Sequence, residues 1–435
     1  MKRIFALALA LSLLMAACAI APSPTPQMIT PVPEETSAPH IASAPRSTVT
    51  PTPAIEAALI TPSPSPAPAS ATLGFVGDIM MMNIQIKSAR TDAGYDFSQS
   101  FTPMQGVFSS VDFLCGNFEC TLSGEAAGYT YPKETPAPAT EANPTPIKPF
   151  QRFNAPDALA TDLVEAGFDL MTTANNHAMD KGIDGLFRTA KTLREAGLMQ
   201  LGTYLDEADA MTPRVAEING FQVGFVAAAG FLNSTAPSVP GAYRAYAVAM
   251  LSDMELIKAQ IEACREAGAE FIVALVHWGM EHHQEESAAQ RKYADALIRA
   301  GADAIIGGHP HVAQPMEWRE VERDGEILRA PVVYSLGNFI SNMAQPNANY
   351  GVFARLTLAR DDAGRVYCAE LAYLPLLCYR DTVHMVKPCF VDEAGDSIKA
   401  YAHVTRVCAG ENTALLTRED VFSYAREATG NQSAQ

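Results

Sequence analysis

Three stretches of the chain repeat one hydrophobic pattern. In LVEAGFDLMTTANNH (163–177), REAGAEFIVALVHWG (265–279) and IRAGADAIIGGHPHV (298–312), an amphipathic helix ends, a glycine follows, then a short apolar run, then histidine. Leu256, Ile257, Ile261 and Cys264 recur at helical spacing, as do Tyr293, Ala296, Leu297 and Ala300. Gly167, Gly268 and Gly301 stand where a helix C-terminus favours glycine. The apolar runs do not alternate with polar residues, which predicts strands covered on both faces. Three further runs predict strands with polar tips: 73–81 ending in Asp78, 111–119 ending in Asn117 and Glu119, and 331–339 ending in Asn338. Helices alternating with buried strands predict an α/β fold.

The tips are unusual in composition. TTANNHAMDKG (172–182) places amides, an imidazole and a carboxylate directly after the apolar Leu170 and Met171. A turn alone needs Asn, Gly, Asp or Ser, not histidine. Ligands of open α/β sheets bind beyond the carboxyl ends of the strands, where these residues would gather. The candidate set is Asp78, Asn117, Glu119, Asn176, His177, His277, His309 and His311; His282 and His283 stand nearby. Carboxylate, amide and imidazole donors without thiolate suit Mn, Fe, Zn or a similar divalent ion. Such an ion polarises a substrate oxygen and acidifies water. His177, with Asp180 one helical turn on, fits a general acid oriented by a carboxylate. Each piece also has a plain structural reading. His-Pro-His can be a stiff turn, His277 a core histidine beside Trp278, and Asp78 an N-cap for a segment starting near Ile79.

Composition adds location and charge. Lys2 and Arg3 precede an apolar stretch, 4–17, too short to span a bilayer, which reads as an export signal. It ends in Met-Ala-Ala before Cys18, similar to a bacterial lipobox; the other reading is cleavage after Ala17 or Ala19 by an ordinary secretory route. Segment 1–17 is then the signal, Cys18 the lipidated first residue, and 18–70 a tether holding 13 of the 30 prolines. Such a tether reaches about 150 Å at roughly 3 Å per residue. Without Lys2 and Arg3 the formal charge moves from −17 to −19, which argues against nucleic acid and anionic lipid as general partners. An anionic substrate would then need a local positive site. Cys368, Cys378, Cys389 and Cys408 are candidate disulfide partners outside the cytoplasm. The folded domain is expected at 71–375, with a Pro- and Thr-rich excursion at 124–150. A packing appendage at 376–435 should close in a helix capped by Thr417.

The stretches FVGDIMM, GNFECTLSG, the run 153–186, VHWGMEH, GADAIIGGHPHVAQPME and VVYSLGNFI, in that order, resemble the bacterial CapA family of capsule and poly-γ-glutamate biosynthesis proteins, similar to calcineurin-like metallophosphoesterases. The resemblance implies an αββα sandwich with sheets flanked by helices, and a surface-anchored, hydrolase-like enzyme acting on poly-γ-glutamate or a capsule or wall component. The alternative is a non-catalytic accessory lipoprotein that binds the polymer, or its polymerase and export proteins, with a structural metal. The resemblance also implies Asp78, Asn176, His277, His309 and His311 as metal ligands and His177 as general acid. Phosphoesterases usually carry histidine where Met80 stands, and two aspartates where Asn117 and Glu119 stand. These departures would thin one of two metal positions, or recruit Glu119 to rebuild it, so one or two ions are expected.

Overall fold

The structure is a computed structural model that describes residues 70–130 and 152–422 apart from 235 and 324. The expected signal segment, Cys18, the tether through residue 69 and most of the 124–150 excursion lie outside the described residues.

The predicted apolar runs do form strands. β1 (Ala71–Ile79), β2 (Phe113–Phe118), β3 (Leu170–Thr172) and β4 (Met199–Leu201) run parallel in one sheet. A second, six-stranded sheet holds β5 (Val215–Ile218), β6 (Phe221–Ala229), β7 (Phe271–His277), β8 (Ala304–Gly308), β9 (Met316–Arg323) and β10 (Glu326–Val333), in the order β9-β10-β8-β7-β6-β5. Its β6, β7, β8 and β10 are parallel. The chain then returns to the first sheet with β11 (Asn338–Ile340), parallel to β1, and with β12 (Tyr350–Arg360), β13 (Val366–Arg380) and β14 (His384–Pro388), joined antiparallel.

Side-chain alternation explains the layers. On β7, Phe271, Val273 and Leu275 enter the core shared with Leu73 and Phe75 of the first sheet, whereas Ile272, Ala274 and Val276 enter another core with α2 (Met254–Glu266) and α3 (Ala288–Ala300). On the far side of the first sheet, Val76, Ile79 and Leu114 pack against Leu159 and Leu163 of α1 (Ala158–Ala166). The result is helix, sheet, sheet, helix: the αββα sandwich. Each sheet is covered on both faces, which is why its central strands show no alternation. The helices start and stop on local signals. Asp253 accepts a hydrogen bond from Leu256 N–H, Ser287 and Gln290 form a reciprocal cap, and Gly167 and Gly301 end their helices at φ 105° and 119°.

Four expectations need correction. The run 331–339 is not one strand: β10 ends at Val333 in the second sheet and β11 begins at Asn338 in the first, so this segment crosses between them. Asp78 caps no helix, because it lies in β1 and the next helix begins at Asn83 after Met82. The boundary at 375 falls inside β13, and β14 and Thr413–Leu415 are strands of the same sheet, so the tail completes the domain. The proposed disulfide partners are free thiols. Cys378, Cys389 and Cys408 sit in three separate apolar clusters and Cys368 is half-buried on β13. Burial pushes Cys368 and Cys389 up to about 12 and Cys378 to about 11, so they stay protonated and unreactive. Thr417 does cap the closing helix, exchanging hydrogen bonds with Asp420.

Gly77 is where the crossing segment touches β1. A Cβ there would lie 1.8 Å from the Gly337 carbonyl oxygen, which accepts the Asp78 N–H bond at 3.0 Å. Gly77→Ala is therefore expected to destabilise the protein by about 1–3 kcal/mol or more, read as a lowered urea midpoint. An unchanged midpoint would show that the crossing is looser than described.

Candidate metal centre

Strand register assembles the site. Asp78 on β1 pairs with Asn117 on β2 and with Asn338 on β11, so three polar residues stand in one row at the tip of the first sheet. On the second sheet, His277 pairs with Gly308, directly before His309. The sheets approach closely here because Gly308 has no side chain; a Cβ would fall 2.7 Å from Asp78 Oδ1. Glu119 follows β2, and its N–H donates to Ile79 O, which holds it over the end of β1.

The candidate residues from both sheets meet. His277 and His309 have ring centroids 4.8 Å apart, and His309 and His311 5.5 Å. Asn176 Oδ1 lies 2.9 Å from His277 Nε2. Glu119 Oε1 lies 3.5 Å from His277 Nε2, 3.8 Å from His311 Nε2 and 3.9 Å from His177 Nε2. Two groups of possible ligands share Glu119: Asp78, Glu119 and His277, and Glu119, His309 and His311. Asn117 does not join them as an oxygen donor. Its Nδ2 donates to Asp78 Oδ1 at 2.8 Å and lies 3.0 Å from His277 Nδ1, while its Oδ1 accepts from Asn175. It ties two ligand candidates together.

Hydrogen bonds set the proton positions. His311 Nδ1 faces Asp78 Oδ2 at 3.1 Å and Asn338 Oδ1 at 3.0 Å. Both oxygens accept, so Nδ1 carries the proton and Nε2 turns a lone pair toward Glu119. His177 Nδ1 lies 2.7 Å from Asp180 Oδ2, which also accepts from Phe153 N–H at 2.6 Å. Asp180 therefore takes the Nδ1 side of the His177 ring, and Nε2 is the nitrogen turned toward Glu119 and the centre. Phe153 packs against the same ring at 4.4 Å.

Burial dominates the electrostatics. It pushes Glu119 well above the usual carboxylate range, with Asp78, Glu281 and Asp180 adding to the effect. Burial and then the neighbouring imidazoles hold His277 well below its ordinary value and bring His309 down to about 3. These rings are neutral, so their approach to the carboxylates is not ion pairing. Neither Glu119 oxygen has a hydrogen-bond partner, nor does His309 Nδ1, and all three atoms are buried. Backbone strain gathers here too. His282, His309 and His311 have φ of 62°, 97° and 59°, and they are three of the six non-glycine residues with positive φ among those described.

Several participants carry no clear mark in the sequence. Asn233 accepts from Asn176 Nδ2 and donates its N–H to Asn176 O, clamping the residue beside His277. Phe231 sets its ring edge-on to His309 at 4.7 Å. Both follow β6, whose tip carries no histidine or carboxylate. Asn175, which donates to Asn117 and to Phe118 O, sits in the Asn-Asn-His run and could have been found there.

Residues 72–343 match the family described as Bacterial capsule synthesis protein PGA_cap. The chain is 27% identical to the PGA biosynthesis protein CapA of Bacillus subtilis (strain 168), over 67% of this chain and 68% of that protein. It is 29% identical to the Capsule biosynthesis protein CapA of Bacillus anthracis, over 65% of this chain and 62% of that one, which leaves over a third of that relative unmatched. A Probable polyglutamine synthesis accessory protein of Mycobacterium tuberculosis is 28% identical over 39% of this chain and 44% of its own length. A match over more than half of its residues, on a metallophosphoesterase-like fold, makes the chain a member of the bacterial capsule synthesis protein family.

Proposed function

We propose that the chain is a metal-dependent hydrolase acting on an anionic extracellular polymer, poly-γ-glutamate or a capsule or wall component, and that a lipid on Cys18 anchors it outside the cytoplasm. Its family ties it to capsule and poly-γ-glutamate biosynthesis. The catalytic part rests on Glu119, a carboxylate with 0% exposure and no hydrogen-bond partner, set among imidazole nitrogens. A buried, unpaired carboxylate is costly unless a cation or proton meets it.

The residues fit a divalent ion. Donors sharing an ion about 2.1 Å away stand about 3.0–3.5 Å from one another, close to the spacings of Asn176, His277 and Glu119. Asp78, Glu119, Asn176, His277, His309 and His311 would hold it. A divalent ion in such a set polarises a substrate oxygen and lowers the pKa of water. His177, its Nδ1 side fixed by Asp180, acts as general acid in its protonated form: the imidazolium gives the Nε2 proton to a leaving group and is left neutral. Phe153 keeps water from one side of that ring. The strongly acidic chain repels an anionic polymer in general, so binding concentrates where positive charge is supplied.

A second reading, a structural metal in an accessory protein, draws on the depth of the centre. Each ligand candidate is almost fully buried, and the tying residue Asn117 is only 8% exposed.

His177→Ala separates the two. Under the hydrolase reading, turnover falls about 10²–10⁴-fold while metal content, measured by mass spectrometry, is kept. Unchanged polymer length, amount and anchoring in complemented cells would end the enzyme reading. Glu119→Gln tests the ion itself. Metal-free, the variant should melt no lower than wild type, because it removes a buried charge. At about a hundredfold excess over Kd, an ion should stabilise wild type by about 2.7 kcal/mol and the variant by much less. A wild-type melting temperature indifferent to Mn, Fe and Zn would sink the metal assignment. For the anchor, Cys18→Ser should release the protein to the medium or leave its signal uncleaved; maturation and fractionation like wild type would refute it.

A further inference from the structure

The two ligand candidates after β8 each carry one more ring. Phe231 lies against His309, and His282 lies against His311 with ring centroids 6.1 Å apart. We infer that His282 is a substrate-binding residue, whose Nδ1 hydrogen-bonds an anionic oxygen of the group held over the centre. This rests on the hydrolase reading above.

Three observations that packing does not require support it. First, the His282 backbone is tied into the ligand turn: its N–H donates to the carbonyl of Pro310, between His309 and His311, at 2.8 Å. The ring's place relative to His311 is thus set by the main chain. Second, its backbone is left-handed, φ 62°. Glycine or asparagine would hold that conformation at less cost, so the imidazole is what the position adds. Third, Nδ1 is buried and has no hydrogen-bond partner. Nε2, on the other side of the ring, lies 3.8 Å from Glu281 Oε2. The ring thus has one nitrogen beside a carboxylate and one shielded from water, next to a ligand imidazole. Nε2 is too far from Glu281 to hydrogen-bond it, and in the tautomer with its proton on Nδ1 the ring offers a shielded N–H beside the centre, which recognises an oxygen carrying negative charge. A phosphate group and the carboxylate of a γ-linked glutamate both offer one.

The test uses the full-length, metal-loaded protein and calorimetric titration with two probes, orthophosphate and a γ-linked glutamate trimer. Wild type is compared with His282→Gly, which removes the ring and suits the left-handed backbone, and with His282→Asn, which suits the backbone and returns a side-chain N–H. The expected result is that His282→Gly keeps its metal and melting temperature but binds the probe about tenfold more weakly, the effect of one hydrogen bond to a charged oxygen. His282→Asn should recover most of that loss. The probe that responds identifies the oxygen as phosphate or carboxylate. Binding by His282→Gly within about twofold of wild type would overturn the inference and leave the hydrolase reading standing. A lowered melting temperature with lost metal in His282→Gly would make the residue a structural brace and also overturn it. Metal-loaded wild type that binds neither probe would reject both together.

Discussion

A carboxylate buried without a hydrogen bond governs how this protein is put together. Glu119 cannot be solvated, and its neighbours are other carboxylates and neutral imidazoles. His311 makes the conflict sharper, since Asp78 and Asn338 take the proton side of its ring and leave a lone pair toward Glu119. The cost of such a group is several kcal/mol, comparable to the whole stability of many domains. It persists because the surrounding fold is over-determined. Two sheets share one apolar core and each is backed by another, so the strand tips are held from both sides. The left-handed backbones of His309 and His311 are strain of the same kind, concentrated where the chain has least freedom to relax.

Local sequence signals located the strands and helix ends because those features depend on nearest neighbours. Unalternating apolar runs meant strands with two covered faces, and glycines after helices meant left-handed caps. The tip residues were legible as chemistry for a related reason: histidine and amide clusters are not needed to end a strand. Partition of the strands between two sheets was not legible. The run from Pro331 to Phe339 is interrupted only by Ser335, Gly337 and Asn338, which also suit the polar tip of a single strand, yet it leaves the second sheet and enters the first. What separates them is Gly337 packed against Gly77, a contact between distant segments that no periodicity reveals. Asn233 and Phe231 were hidden in the same way, since their partners Asn176 and His309 lie far away in sequence. The cysteines misled because the expected export signal argued for pairing, whereas Cys378, Cys389 and Cys408 are free thiols in three different apolar clusters.

The amides explain how the centre limits its own charge. Asn117, Asn175, Asn176, Asn233 and Asn338 all bond within the site or to one another. An aspartate at any of these positions would lose the amide donor and add a negative charge next to Glu119, Asp78 and Asp180. An amide supplies both a donor and an acceptor, so Asn117 can donate to Asp78 and still receive a hydrogen bond from Asn175, which a carboxylate could not do. The network therefore fixes the candidate ligands with neutral groups and leaves charge to the residues that could hold an ion.

That economy bears on the number of ions. Met80, where phosphoesterases usually carry a histidine, is fully buried among Phe97, Phe101 and Phe118 in the outer core of the first sheet. A histidine at that backbone position would have to leave this apolar cluster to reach the centre. The ligand groups that remain share Glu119, so two ions would have to be bridged by one carboxylate, with Asp78 the only other formal charge among the candidates. Asp78 is already engaged by Asn117, His311 and the His309 N–H. With neutral imidazoles, Asp78 and Glu119 bring two negative charges, which one divalent ion balances and two would exceed. An ion held by this set would meet a balancing charge, and a second would need negative charge from outside the set.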